Sequence, residues 1–135
     1  MDVCHLAPGS FEHAWHVASV AVALHGLLPG WRLVSEREVR VHEREERELL
    51  ASVRLGHGEC AARHRPDLAL IDPEGGVCAV EVELSVKSRV RLQAICTGYA
   101  RARHLRHTFY LAAGAPARAL ARTVREPGAV AGSAA

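Results

Sequence analysis

The stretch Pro66-Asp67-Leu68-Ala69-Leu70-Ile71, the turn residues Asp72-Pro73-Glu74-Gly75-Gly76, and the run Val77-Cys78-Ala79-Val80-Glu81-Val82-Glu83-Leu84 decide how this chain folds. Two apolar runs joined by Pro- and Gly-rich turn chemistry predict an antiparallel pair of strands, about 67–71 and 77–84. Period two then places Ala79, Glu81 and Glu83 on one face of the second strand and Val80, Val82 and Leu84 on the other, the even face feeding the core. Asp67 at the start of the first strand comes near Glu81 and Glu83. Two close carboxylates repel, and without a cation one tends to keep its proton. Three acids on adjacent strands suit a hard, oxygen-liking ion such as Mg²⁺ or Mn²⁺, the usual means of driving water onto a phosphodiester. Lys87, just beyond, can fold back to orient that water or to neutralise charge developing on the phosphate. The same residues also fit a plainer arrangement, in which Glu81 and Glu83 face solvent and Lys87 pairs with one of them.

Working outward, Ser10 can cap a first helix that Pro29-Gly30 stops, with Trp15, Ala18, Val22 and Leu24 to Leu28 giving apolar surface to pack on a sheet. Trp31 to Val41 alternates and predicts a strand. Residues 43 to 65 are the hardest to decode; Leu49, Leu50, Val53 and Leu55 fit a helix slightly better than a strand, and Gly56 and Gly58 end it. A helix is expected from Ser85 to about His104, burying Val86, Val90, Leu92, Ile95, Cys96 and Tyr99. Thr108 to Ala113 follows as a short strand, parallel to a neighbour through a helical crossover. Ala115 to Arg125 makes a last helix. At 135 residues the chain supports one core, here assigned to 1–128, with 129–135 a frayed tail. The fold class is α/β, one sheet flanked by helices.

The formal net charge of +2 hides an uneven distribution. Residues 1–84 carry 8 Lys/Arg against 14 Asp/Glu, a net of −6, and residues 85–135 carry 9 against the single Glu126, a net of +8. An acidic part able to hold metal is followed by a basic part able to track a phosphate backbone, although Arg-rich helices are as readily solvated faces. Cys4, Cys60, Cys78 and Cys96 lack a C-x-x-C spacing and no secretory signal precedes them, so reduced thiols in a cytoplasmic protein are expected. The apolar stretch from Ala14 to Leu28, interrupted by His16 and His25, is too short and polar to span a membrane. His57, Cys60 and His64, with His42 upstream, do not have the spacing of a standard zinc finger.

Pro66-Asp67 followed by Glu81-x-Glu83 resembles the signature of the PD-(D/E)xK nuclease superfamily, whose third position is usually lysine. The expected order of elements is similar to that superfamily's restriction endonuclease-like core of helix, three strands, helix, strand around a mixed sheet. The runs His64 to Leu70, Ala79 to Ser88 and Tyr99-Ala100, with His13 and its apolar helix and Trp31 with Ser35-Glu36-Arg37-Glu38, resemble the replication-relaxation family of actinobacterial mobile elements. The resemblance covers roughly residues 13 to 113. It implies a DNA-cleaving hydrolase with Asp67, Glu81 and Glu83 as the Mg²⁺ or Mn²⁺ set, and Glu83 or Lys87 assisting the water. A further acid usually comes from the first helix, where Glu12 is the candidate; Glu36, on the first strand, is its rival and equally reads as a surface charge. Ser88, Arg89, Arg91, Gln93, Arg101 and Arg103 are the implied DNA contacts. Tyr99 is expected at the core edge with its hydroxyl at the surface. His13 is either a capping or packing residue or makes a hydrogen bond at the metal cleft.

Glu83 stands where the superfamily usually has lysine. Some restriction endonucleases of the superfamily carry glutamate there and still cleave. A catalytically silent DNA-binding accessory, working with replication or transfer proteins of a plasmid, is the second reading, and a protein-interaction domain with structural acids the third. Superfamily members are often dimers, since cutting two strands takes two sites; a homodimer is expected here, although no interface stripe stands out.

Overall fold

The computed structural model describes residues 8–58 and 60–125. Helix α1 (Pro8–Leu27) leads into strand β1 (Arg32–Ser35), helix α2 (Glu36–Glu46), and the short strands β2 (Val53–Leu55) and β3 (Ala62–His64). Strands β4 (Leu68–Ile71) and β5 (Val77–Glu83), helix α3 (Arg89–Arg101), strand β6 (Leu105–Ala112) and helix α4 (Gly114–Arg125) complete the order. The main sheet runs β1-β4-β5-β6, with β2 and β3 forming a separate ladder. β4 runs antiparallel to both of its neighbours, β1 and β5, and β6 lies parallel to β5 as the helical crossover requires.

The β4–β5 hairpin forms because Asp72 satisfies its own turn. Its Oδ1 accepts from the amides of Glu74 (2.9 Å) and Gly76 (2.8 Å), Gly75 takes a positive φ of 86°, and Arg106 Nη1 holds Oδ2 at 2.8 Å. Phe109 and Leu111 of β6 are exposed, whereas both faces of the central strands are covered. On one, Leu68, Leu70, Cys78 and Val80 pack under Val17, Val20, Ala21 and Leu24 of α1. On the other, Ala79 packs with Val53, Ile95 and Tyr99 beneath α3 and the small ladder. The even face alone was expected to feed the core, and Leu84 with it. The odd face proves equally buried, and Leu84, beyond the end of β5, is 41% exposed.

Several boundaries differ from those expected, each for a local reason. The strand expected over 31–41 stops at Ser35, because Ser35 and Glu38 form a reciprocal capping box that starts α2 and overrides the alternation. α1 begins at Pro8, a residue suited to a first helical position, so Ser10 lies inside the helix and does not cap it. α3 begins after Ser88, whose Oγ accepts the Arg91 amide at 3.2 Å, leaving residues 84–88 as a connection. β6 starts three residues before the expected Thr108. The expected tail, 129–135, and Cys4 lie outside the described residues.

The segment 43–55 is organised by one buried carboxylate. Glu43, 4% exposed on α2, accepts at Oε1 from the amides of Leu50 (3.0 Å), Ala51 (3.2 Å) and Ser52 (3.0 Å), and at Oε2 from the Ser52 hydroxyl (2.7 Å). It ties the loop down so that Ala51 joins Val34, Val39 and Ala69 in the core and β2 can start. The helix expected to carry Val53 and Leu55 is therefore absent, and those residues form a strand against β3. Burial alone would raise the Glu43 carboxyl, but the bonds from Ser52, Ala51 and Leu50 outweigh it and hold the group below the usual carboxylate range. A depressed folded pKa means stability present at neutral pH and lost as pH falls through the folded value. Glu43→Ala is expected to cost about 2–4 kcal/mol in urea unfolding at pH 7, and the difference from wild type should shrink on acidification below pH 4.5. An unchanged difference at low pH would contradict this role.

Candidate functional site

The ladder of β4 and β5 pairs Leu68 with Val80 and Ala69 with Ala79, so Asp67 enters one step before the ladder, beside Glu81. The Asp67 carboxylate bridges two elements: Oδ2 accepts the Val82 amide of β5 at 2.7 Å, and Oδ1 accepts from His13 Nε2 of α1 at 2.8 Å. His13 thus makes a bond at the cleft. A strand entry, a neighbouring strand and the first helix converge on one aspartate.

Glu81 and Glu83 follow the odd face of β5 toward α3 and are 6% and 8% exposed. Burying a carboxylate this far costs several kcal/mol unless donors replace its water. Glu81 finds two, both on Oε1: His64 Nε2 of β3 at 2.5 Å and the Tyr99 hydroxyl of α3. The His64 and Tyr99 rings meet edge to face at 5.9 Å, and Tyr99 meets Tyr110 of β6 the same way at 6.0 Å. Glu83 is paired through Oε2 with Lys87, which folds back from the β5–α3 connection. The solvent-facing arrangement of Glu81 and Glu83 is thereby excluded, although Lys87 does pair with Glu83. The expected surface hydroxyl of Tyr99 is corrected too: Tyr99 is 8% exposed and its hydroxyl is spent on Glu81.

Parallel pairing sets Tyr110 beside Glu81. Its buried hydroxyl has no hydrogen-bond partner among the described residues, and the Cys96 thiol lies near it. Burial first, and then the Glu81 charge, push both tyrosines far above their ordinary pKa. Burial likewise raises the Cys96 thiol.

Two clefts open on these groups. One of about 550 Å³ is lined by Glu12, His13, Glu83 and Lys87, and another of about 490 Å³ by His13, Glu36 and Asp67. Both acid candidates therefore border the site. Glu36, however, is the first residue of α2 rather than part of a strand, is half exposed, and bonds Arg40 at 2.7 Å, with Arg65 3.7 Å away. Among the described residues no group of three or more His, Cys, Asp or Glu side chains is placed to hold one ion. The acids are instead distributed into pairs with His13, with His64 and Tyr99, and with Lys87. The donor set is nevertheless all carboxylate oxygen, and no described donor occupies the second oxygen of Glu81 or of Glu83, which suits a hard divalent cation.

The expected DNA contacts separate into two groups. Ser88 spends its hydroxyl capping α3, Arg89 and Arg91 are exposed in the first turn, and Gln93 is half buried. Arg101 and Arg103 lie at the far end of α3, where Arg101 meets His57 at 3.1 Å. His57 and His64 thus belong to different surroundings. The sequence reading missed His64 as the partner of Glu81, although the spacing of Leu92, Ile95, Cys96 and Tyr99 already placed Tyr99 on the buried face of α3. Compared with known proteins, the chain matches no family model, no curated protein and no solved structure.

The chain has only two tyrosines, Tyr99 and Tyr110. A spectrophotometric titration of the native protein at the tyrosinate band should stay flat through about pH 11, past the ordinary tyrosine value near 10, and rise only with alkaline unfolding. Ionisation of either tyrosine near pH 10 with the fold intact would contradict the buried network.

Proposed function

We propose that this chain is a Mg²⁺- or Mn²⁺-dependent DNA nuclease-like protein of restriction endonuclease-like architecture, serving the replication or transfer of a mobile element in the cytoplasm. The observation that carries this reading is the meeting of Asp67 with the β5 segment of Glu81 and Glu83, bound through the Val82 amide, while Lys87 returns onto Glu83. That supplies an acidic cluster and a lysine at one end of the sheet despite the glutamate at the third motif position.

Asp67, Glu81 and Glu83 are the residues that would hold the ion. Mg²⁺ or Mn²⁺ supplies Lewis acidity toward a phosphodiester when bound. The chain's own groups do the positioning: His13 fixes the rotation of Asp67, and His64 with Tyr99 fixes Glu81. Lys87, 31% exposed at its side chain, can leave Glu83 to neutralise charge on a phosphate oxygen or to orient a water molecule.

A second reading, a catalytically silent DNA-binding accessory, is favoured by one specific observation. Each of the three carboxylates already has a protein partner, so the acids can be stable without an ion. Incubation with supercoiled plasmid and Mn²⁺ separates the two. Nicking that falls at least about a hundredfold in both Asp67→Asn and Glu81→Gln supports hydrolysis at this site. Nicking that survives both substitutions contradicts it, and salt-sensitive plasmid binding without any nicking selects the accessory role.

A further inference from the structure

Helix α1 is apolar on the side turned away from its own sheet as well as on the side that packs. Val17, Val20, Ala21 and Leu24 face the sheet, whereas Phe11, Trp15, Ala18 and Val22 form an exposed stripe on the opposite side. Their spacing of four, three and four residues keeps them in line along the helix. Phe11, Trp15 and Val22 are 61%, 65% and 75% exposed, and no Asp, Glu, Lys or Arg occurs between Glu12 and Arg32. A helix apolar all round belongs between two packing partners. A second bare surface lies on β6. The parallel register sets Phe109 beside Val80 and Leu111 beside Val82, so both side chains point to the α1 side of the sheet. α1 covers Val80 but leaves β6, at the edge of the sheet, with Phe109 44% and Leu111 40% exposed.

The two surfaces fit one another across a twofold axis. A second copy placed face to face lays its α1 beside the first copy's α1, over the bare β6, and receives the first copy's helix on its own β6. Two sheets then enclose a layer of two helices, each outward stripe is packed, and the interface closes on itself. Phe11, Trp15, Val22, Phe109 and Leu111 leave on the order of 500 Å² exposed per chain. Burying them in both copies removes about 1,000 Å² from water, the area a specific interface needs. Charge favours the same occupant, since the stripe offers a charged partner nothing to pair with and a second copy brings an equally uncharged surface. We propose that this face is the homodimer interface of the chain, with Phe11, Trp15 and Val22 of one copy seated on Phe109 and Leu111 of the other. It stands on this packing alone and is independent of the nuclease-like reading. The sequence hides the stripe because both sides of α1 are apolar, so no single face stands out.

Sedimentation velocity of the full chain across a micromolar concentration series tests the interface, with far-ultraviolet circular dichroism to check that each variant is folded. The wild type is expected to sediment as a dimer. Trp15→Lys, Val22→Lys and Phe109→Glu, all at exposed positions, should each raise the dissociation constant at least about thirtyfold. An equimolar mixture of Trp15→Lys and Phe109→Glu should recover a dimer, because one of its two helix-on-strand contacts then sets Lys against Glu and the other is native. Val124→Lys, at an exposed apolar residue of α4 outside the interface, should dimerise as wild type. A monomeric wild type overturns the proposal and leaves the face to residues 1–7 or 126–135 of the same chain or to a different protein. A dimer that survives both Trp15→Lys and Val22→Lys, or that survives Phe109→Glu, or that Val124→Lys weakens equally, overturns it as well. Failure of the mixture to recover a dimer overturns the seating of α1 on β6.

Discussion

The interaction on which the site depends is the burial of the Glu81 carboxylate between His64 and Tyr99. A carboxylate 6% exposed survives only where donors are fixed to receive it, and here they come from two different elements. His64 on β3 and Tyr99 on α3 must both be in place. Glu81 therefore orients the small β2–β3 ladder and the long helix relative to the central strand, in addition to the apolar packing of Val53, Ala79 and Ile95. Truncating one partner would leave a buried charge half satisfied, which costs more than the net worth of the bond itself.

Around this centre the fold sorts charge by position. Carboxylates collect where the β4–β5 hairpin faces the first turns of α1, with Glu12 and His13 on one side and Lys87 on the other. Cations collect along the start of α3 and on α4. The contrast between the two parts of the sequence thus becomes a spatial contrast across the β5–α3 connection. Lys87 sits at the boundary, paired with Glu83 and bordering the cleft with Glu12 and His13.

Much of this was legible from residue pattern. The hairpin could be read from Asp72 to Gly76, because Asp and Gly have turn roles that depend on a few neighbouring amides only. The parallel pairing of β6 followed from a helical crossover, a rule of chirality rather than of residue identity. Alternation misled between Ser35 and Val41, where a capping box decided the local conformation. Residues 43 to 55 resisted because what organises them is a single carboxylate, Glu43, collecting three amides seven to nine residues away. At the candidate site, Asp67, Glu81 and Glu83 could be named from their spacing. Their partners could not: the His64–Glu81 bond joins two separate sheets, which no local pattern brings together.

The central claim is that Asp67, Glu81 and Glu83 act together on one divalent ion, in competition with their histidine, tyrosine and lysine partners. Titration of the wild-type chain with Mn²⁺, following free Mn²⁺ by electron paramagnetic resonance, tests it most directly. The account predicts one bound ion per chain in the wild type and its loss in Glu81→Ala with the fold retained. No bound Mn²⁺ in the wild type, or binding that Glu81→Ala leaves unchanged, would contradict it.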